Sequence, residues 1–139
     1  YDLEQPVVRF AADEAVVIAS GIIELIDSGC DLVVVTGGMS VDPDDVTPAG
    51  IIQAGADVIK YGAPVLPGAM FMLAYRGSVP IIGLPACAIY YRTTVFDLVF
   101  PRLLSGEKVT AAAISKLGHG GLCRICAQCV FPRCSFGKI

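Results

Sequence analysis

The feature that most constrains the fold is an unbroken apolar run, Leu32-Val33-Val34-Val35, which is followed by Thr36 and a Gly-Gly pair. A continuous run rich in β-branched residues is typical of a strand that is buried on both faces in a parallel sheet. A second run of this kind lies at residues 79–84 and ends at Pro85. Each of the two runs therefore predicts a buried strand of the sheet.

Helix patterns alternate with these strands. Residues 12–26 carry apolar side chains at helical spacing, with acidic residues in the first turn. Thr47-Pro48 predicts the start of a second helix, with the threonine as N-cap and the proline in the first turn. Residues 87–104 predict one long helix, bent at Pro101. The alternation predicts an α/β fold, a three-layer α/β/α sandwich around a mostly parallel sheet.

Composition excludes several classes of protein. Of the 139 residues, 55% are hydrophobic and 17% are charged, which excludes a disordered chain. The 10 Lys and Arg residues and the 13 Asp and Glu residues give a net charge of −3, which argues against a nucleic-acid-binding protein. No apolar run reaches the roughly 18 residues of a transmembrane helix. Because no secretion signal is visible, we expect a cytoplasmic protein that contacts neither nucleic acid nor membrane.

The loop after the first strand, residues 37–47, is the main candidate site. In sheets of this type ligands bind beyond the carboxyl ends of strands, so we expect the site between this loop and residues 85–90. The Gly37-Gly38 pair allows a sharp turn whose backbone N–H groups point at an anion such as a phosphate. Ser40 and Thr47 add hydroxyl donors to the same loop.

The same loop is acidic. Asp42, Asp44 and Asp45 would repel a phosphate unless they hold a divalent cation or accept hydrogen bonds from another part of a ligand. The alternative is an ordinary strand-to-helix turn, in which the glycines relieve steric strain and the aspartates face water. Because a double glycine is a weak signal, the residues alone leave both interpretations open.

The order of residues in the loop resembles a known signature. Thr36-Gly37-Gly38-Met39-Ser40, followed by Asp45 and Thr47, is similar to the loop of the molybdopterin-binding domain in the MoeA and MogA types of molybdenum-cofactor biosynthesis protein. Both types have an Asp at this distance from the Gly-Gly pair. Two further matches are Pro67-Gly68, at the family's Pro-Gly turn, and Gly83-Leu84-Pro85, at its Gly-Leu-Pro strand end. The resemblance extends over about residues 7–106.

The resemblance implies a domain that binds the phosphate end of molybdopterin at the glycine loop. By matching position, Asp45 would be the functional acid, and Asp13, ahead of the first helix, would be the second catalytic candidate. The cofactor-binding residues would be Thr36, Gly37, Gly38, Ser40, Asp42, Thr47 and Pro85. The family adenylylates molybdopterin or inserts molybdate into it with magnesium, so the resemblance implies transferase-like chemistry. It also implies a homo-oligomer.

Departures from the family pattern bear on this activity. The MoeA type has lysines beside its Pro-Gly turn, whereas Leu66 and Ala69 stand here and cannot hold an oxyanion. After Gly-Leu-Pro the family continues with Gly-Asn-Pro, whereas this chain has Ala86-Cys87-Ala88. We therefore expect a binding or carrier role in cofactor assembly or delivery rather than a complete transferase. The family's first strand and helix do not appear after Tyr1, and we expect them upstream in a longer polypeptide.

The last residues have a composition of their own. The change near residue 118 predicts an α/β domain over residues 1–117 and a Cys-rich tail over residues 118–139. The tail carries closely spaced thiols at Cys123, Cys126, Cys129 and Cys134. Pairs of cysteines at this spacing form the knuckles of structural zinc sites, so the tail predicts a small metal knuckle that holds zinc. An iron–sulfur cluster and plain thiols or disulfides are the alternatives.

A rival interpretation makes the chain a non-enzymatic interaction module. The α/β domain would then be a scaffold, and the metal knuckle would contact a molybdoenzyme or another partner. Substitution of Asp45 by alanine distinguishes the two hypotheses, because it removes pterin binding in the first and leaves partner binding unchanged in the second.

Overall fold

The computed structural model describes residues 3–119 and 126–128. The strands are β1 (Val33–Thr36), β2 (Asp57–Tyr61), β3 (Met72–Arg76) and β4 (Val79–Leu84). The helices are α1 (Ala15–Asp27), α2 (Thr47–Gln53), α3 (Val95–Leu104) and α4 (Ala111–Lys116), with 3-10 turns at Ala86–Ile89 and Leu117–His119. Within the described ranges, no helix is long and apolar enough to cross a membrane.

The strands form one mixed sheet with the order β1-β4-β3-β2. The predicted α/β fold is confirmed, but the prediction of a mostly parallel sheet is wrong: β1 and β4 are parallel, whereas β3 is antiparallel to both β4 and β2. The reason is the Gly77-Ser78 turn. It links Arg76, the last residue of β3, to Val79, the first residue of β4, so that the two strands form a hairpin with a two-residue loop. Gly77 has a φ of +64°, the left-handed conformation that such a hairpin turn requires.

Helices cover both faces of the sheet. Because side chains alternate along a strand, Met72 and Ala74 of β3 belong to a core cluster with α1 and α2. Leu73 and Tyr75 belong to a second cluster with α3 and α4. The two clusters make a helix layer on each side of the strands.

Strand β1 is less buried than its sequence predicts. Its only described neighbour is β4, so it lies at an edge of the sheet. Val33 is 2% exposed, whereas Val34, on the opposite face, is 39% exposed. The β-branched run therefore has one buried and one open face where burial on both was expected.

The long helix predicted over residues 87–104 is wrong. A short 3-10 turn covers Ala86–Ile89, and α3 begins separately at Val95. The break comes from a capping box, in which the Thr94 hydroxyl accepts from the Phe96 N–H and the Asp97 carboxylate accepts from the Thr94 N–H. Such reciprocal caps stabilise a helix start at this position.

Three of the strands end at one edge. Since β3 is antiparallel to both of its neighbours, β2 and β4 run in the same direction, and β1 is parallel to β4. We call this the carboxyl edge of the sheet. The loops that leave it are residues 37–46, 62–71 and 85–94.

Candidate functional site

The two loops expected to form the site lie beside each other at the carboxyl edge. Thr36 at the end of β1 pairs with Leu84 at the end of β4. Because neighbouring strands are about 4.8 Å apart, the Gly-Gly pair and Pro85 continue from adjacent positions. Pro85 is buried, while Thr36 and Gly37 are exposed. The parallel pairing of two distant runs thus brings the predicted residues together.

The loop after β1 closes on itself through Asp45. Its Oδ2 atom accepts hydrogen bonds from the Ser40 N–H and from the Ser40 hydroxyl, both at 2.6 Å. The Ser40 Oγ in turn accepts from the Asp42 N–H at 3.2 Å, and the Asp45 N–H donates to the Asp42 carbonyl at 3.0 Å. The donors of Ser40 are therefore committed to Asp45 and hold its carboxylate in one orientation.

These bonds keep Asp45 ionised. The pKa of the Asp45 carboxyl lies below its ordinary value, chiefly because the Ser40 hydroxyl donates to the charged form. Partial burial raises the pKa and opposes this shift, whereas the backbone N–H groups of Ser40 and Asp42 lower the pKa further. The site therefore presents a fixed negative charge at neutral pH, suited to a cation or to donors on a ligand.

The lowered pKa predicts how stability changes with pH. The unfolded chain binds a proton at Asp45 at a higher pH than the folded chain, so the stabilisation is complete above the unfolded pKa and is lost as the pH falls through the folded pKa. Denaturant unfolding between neutral pH and about pH 3 measures this loss. We expect Asp45→Asn and Ser40→Ala each to flatten the dependence. An unchanged slope in both variants would contradict the bonding described.

A second set of contacts fixes the glycine pair. The Thr47 hydroxyl donates to the Gly37 carbonyl at 2.9 Å, and Thr47 is only 3% exposed. Thr47 was predicted as an N-cap, but that position belongs to Val46 and Thr47 lies inside the first turn. A Cβ on Gly38, where φ is +55°, would lie 2.7 Å from the Thr47 Oγ1 and 3.2 Å from the Asp13 Oδ1. Asp13, ahead of α1, thus lies against the loop.

Sequence reasoning missed Met39. This side chain is 1% exposed and lies over the sheet where Gly83 has no side chain. A Cβ on Gly83 would lie 2.6 Å from the Met39 Cε and 3.1 Å from the Met72 Cβ. An apolar residue between a glycine pair and a polar loop is the signal that points to such an anchor. Met39 fastens the loop to the sheet, and Gly83 makes room for it.

Tyr61 was also missed. It ends β2 and lies in one row of the sheet with Val35, Gly83 and Met72, although it is distant from the loop in sequence. Burial raises the pKa of the Tyr61 phenol, and the negative charge of Asp45 raises it further. The charge of Asp45 therefore acts on the end of β2 at the same edge of the sheet.

Of the four predicted metal ligands, Cys126 lies within the described residues. Among residues 3–119 and 126–128, no group of three or more His, Cys, Asp or Glu side chains is placed to hold a metal ion. Asp42 instead accepts the Asp44 N–H at 3.1 Å as part of the loop. Cys126 is exposed, and Cys123, Cys129 and Cys134 lie outside the described residues. The zinc knuckle stays a prediction.

Two surface depressions lie in the described part of the chain, and the first is at the carboxyl edge. One of about 510 Å³ lies beside the end of β2, lined by Lys60, Tyr61, Gly62, Ala63, Pro64, Ala69 and Ser115. Another of about 340 Å³ lies between α3 and α4, with Arg102 and Lys116 among its lining residues. Neither depression is lined by Gly37 or Gly38.

Comparison with models of known protein families gives a match to this sequence. A family model described as a probable molybdopterin binding domain matches residues 4–105, well over half of the 139 residues. No curated protein matches the sequence. The matched range includes the whole sheet, the loop after β1 and the Pro85 turn, and it excludes the Cys-rich tail.

Proposed function

The chain belongs to the family of probable molybdopterin binding domains, and on that premise we propose that it binds molybdopterin at the carboxyl edge, with the phosphate at Gly37-Gly38. Its place in molybdenum cofactor biosynthesis would be to hold or deliver the pterin. Residues that fold the loop and those that touch the ligand are then different sets. Ser40 and Thr47 position the loop, whereas Gly37, Gly38 and Asp45 face the ligand.

The observation that carries the proposal is the arrangement of Asp45 beside two glycines. One carboxylate oxygen, Oδ2, accepts both Ser40 donors at 2.6 Å, and these bonds fix the orientation of the carboxylate beside the glycine pair. Gly37 and Gly38 have φ values of +88° and +55° and carry no side chain between the backbone and an approaching ligand. Among the hydrogen bonds of the described loop, none uses the Gly38 N–H. A backbone donor and a fixed carboxylate would thus meet the phosphate and the polar groups of the pterin.

Magnesium fits this arrangement as a partner of the ligand. The ion commonly binds through one or two carboxylates together with substrate phosphates, so it needs no complete protein cage. Asp45 would supply the carboxylate, and a bound ion would neutralise the charge between it and the phosphate. The proposed role is binding or delivery; contact with a molybdoenzyme is the rival hypothesis, and transferase-like activity and self-association are expectations from the family resemblance.

The proposal predicts that Asp45→Asn weakens molybdopterin binding at least tenfold. Hydrogen bonds to a charged group are worth about 1.5–3 kcal/mol, and 1.4 kcal/mol corresponds to a factor of ten in affinity. Titration of molybdopterin into the protein, with and without magnesium, measures the dissociation constants. The control is Asp44→Asn, which removes an exposed charge from the same loop and should leave the affinity within about twofold, since its side chain accepts none of the loop's hydrogen bonds.

Two results would contradict the proposal. If the wild-type protein, folded and with magnesium present, shows no saturable binding, the carboxyl edge is not a molybdopterin site. If Asp45→Asn and Asp44→Asn have equal effects, general charge accounts for the binding, and the fixed carboxylate has no special part in it.

A further inference from the structure

The most exposed large hydrophobic side chains of the described residues gather near the carboxyl edge. They are Phe10 at 98% exposure, Val41 at 83%, Tyr90 at 82%, Ile89 at 80% and Leu66 at 76%. The last four lie on the three loops that leave this edge. Phe10 is close in sequence to Asp13, whose carboxylate lies beside Gly38. Single exposed apolar residues are ordinary, but a group of them around one site indicates a contact surface.

The exposed tyrosines of the described residues also lie at the carboxyl edge. Tyr75 is buried in the core, where its hydroxyl accepts the Val109 N–H at 3.0 Å. Tyr61, Tyr90 and Tyr91 all lie at the carboxyl edge and are 43%, 82% and 53% exposed. Within the described residues, the hydroxyls of Tyr90 and Tyr91 take part in no hydrogen bond. Among the described residues, these two rings therefore contribute neither to the packing of the core nor to a hydrogen-bond network.

The backbone that carries Tyr90 and Tyr91 is nevertheless held in place. Both of their N–H groups donate to the Cys87 carbonyl at 3.1 Å, which closes the 3-10 turn after β4. The segment begins at Pro85, which is buried, and runs into Thr93, which is 1% exposed. Two rings thus project from a short arch that is anchored at both ends, which limits the entropy lost when a partner covers them.

We propose that Tyr90 and Tyr91 form the platform on which the fused ring system of the pterin stacks; the inference rests on the proposed function. Thr36 and Leu84 are paired, so the tyrosine turn and the glycine loop leave adjacent strands. Under the proposal, a ligand whose phosphate lies at Gly38 would extend its planar ring towards this turn. Flat heterocycles stack on aromatic side chains, and a tyrosine platform recognises the ring without hydrogen bonds.

The test compares two double variants with the wild type. Tyr90→Leu with Tyr91→Leu removes the rings and keeps apolar side chains, and we expect it to weaken molybdopterin binding about tenfold. Tyr90→Phe with Tyr91→Phe keeps the rings and should retain the wild-type affinity. The control is Ile52→Ala, which removes an exposed apolar side chain from α2, outside the three loops that leave the carboxyl edge, and should bind normally. Inorganic phosphate, used as a competitor, should bind all four proteins equally.

Several outcomes would overturn the inference. If the leucine variant binds molybdopterin as the wild type does, the rings do not contact the pterin, although the proposed function stands. If the phenylalanine variant binds molybdopterin as weakly as the leucine variant, the tyrosine hydroxyls contribute to binding and stacking of the rings does not. If the leucine variant changes the oligomeric state in sedimentation and keeps its affinity, the turn is a protein contact. If the wild type binds no molybdopterin, the proposed function fails together with the inference.

Discussion

Substitution of Gly68 by alanine is expected to lower the free energy of unfolding by about 3 kcal/mol, from strain of about 1–2 kcal/mol and overpacking of 1–3 kcal/mol. Gly68 has a φ of +120°, which is costly for any residue with a Cβ. A Cβ there would also lie 2.6 Å from the Val95 Cγ1 and 3.0 Å from the Val95 backbone nitrogen. Since the Val95 N–H donates to the Pro67 carbonyl at 3.1 Å, the turn and the start of α3 cannot separate without losing that bond.

Gly29→Ala separates the two causes. Gly29 follows α1 with a φ of +100°, and a Cβ there meets no atom within 4 Å. This variant should therefore show only the backbone strain, about 1 kcal/mol. Denaturant unfolding of both variants gives the comparison. Equal losses would mean that contact with Val95 contributes nothing and that the Pro-Gly turn is needed for its backbone conformation alone.

The second large effect concerns the contact between α1 and α2. We expect Gly50→Ala to destabilise the protein by about 2 kcal/mol, because a Cβ on Gly50 would lie 2.8 Å from the Ile18 Cβ and 3.1 Å from the Ala15 carbonyl oxygen. Ile18 is branched and buried, so it cannot move aside. The helices would separate, and α2 would carry Thr47 away from the Gly37 carbonyl that it supports. Molybdopterin affinity should fall together with stability.

A glycine in the facing helix gives the opposite expectation. Gly21 lies within α1, and a Cβ there meets nothing within 4 Å. Gly21→Ala should therefore stabilise the protein by about 0.5–1 kcal/mol through helix propensity alone. Thermal or denaturant unfolding of the two variants should show shifts of opposite sign. A gain in stability for Gly50→Ala would show that the helices do not cross as closely as the Gly50 contact requires.

The local features of the candidate site could be predicted from the sequence because short-range chemistry determines them. A β-branched run followed by Gly37-Gly38 specifies a strand that ends in a sharp turn. The spacing of Ser40 and Asp45 matched a known loop, and the structure joins these two residues directly. Pairing of β1 with β4 places the Pro85 turn beside the glycine loop, and the site was expected between these two segments.

Long-range features could not be predicted in the same way. The direction of β3 depends on the Gly77-Ser78 hairpin, and a two-residue turn does not by itself specify how the joined strands pair with the rest of the sheet. The position of Tyr61 follows from the strand order. Tyr61 lies in a row of the sheet that starts on β1 and crosses β4 and β3, and this order places it at the same edge as the Asp45 loop. The end of the 87–104 helix pattern depended on whether Thr94 would act as a cap or continue the helix.

Met39 has a consequence for the kinetics of binding. Its thioether fills the space above Gly83, and Asp45 and Thr47 close the rest of the loop with hydrogen bonds. Fixing a backbone residue costs about 1–2 kcal/mol in conformational entropy, and here this loss occurs when the chain folds rather than when a ligand arrives. The glycine loop is thus preorganised, so association should proceed by encounter with a ready surface and without a slow rearrangement of the loop.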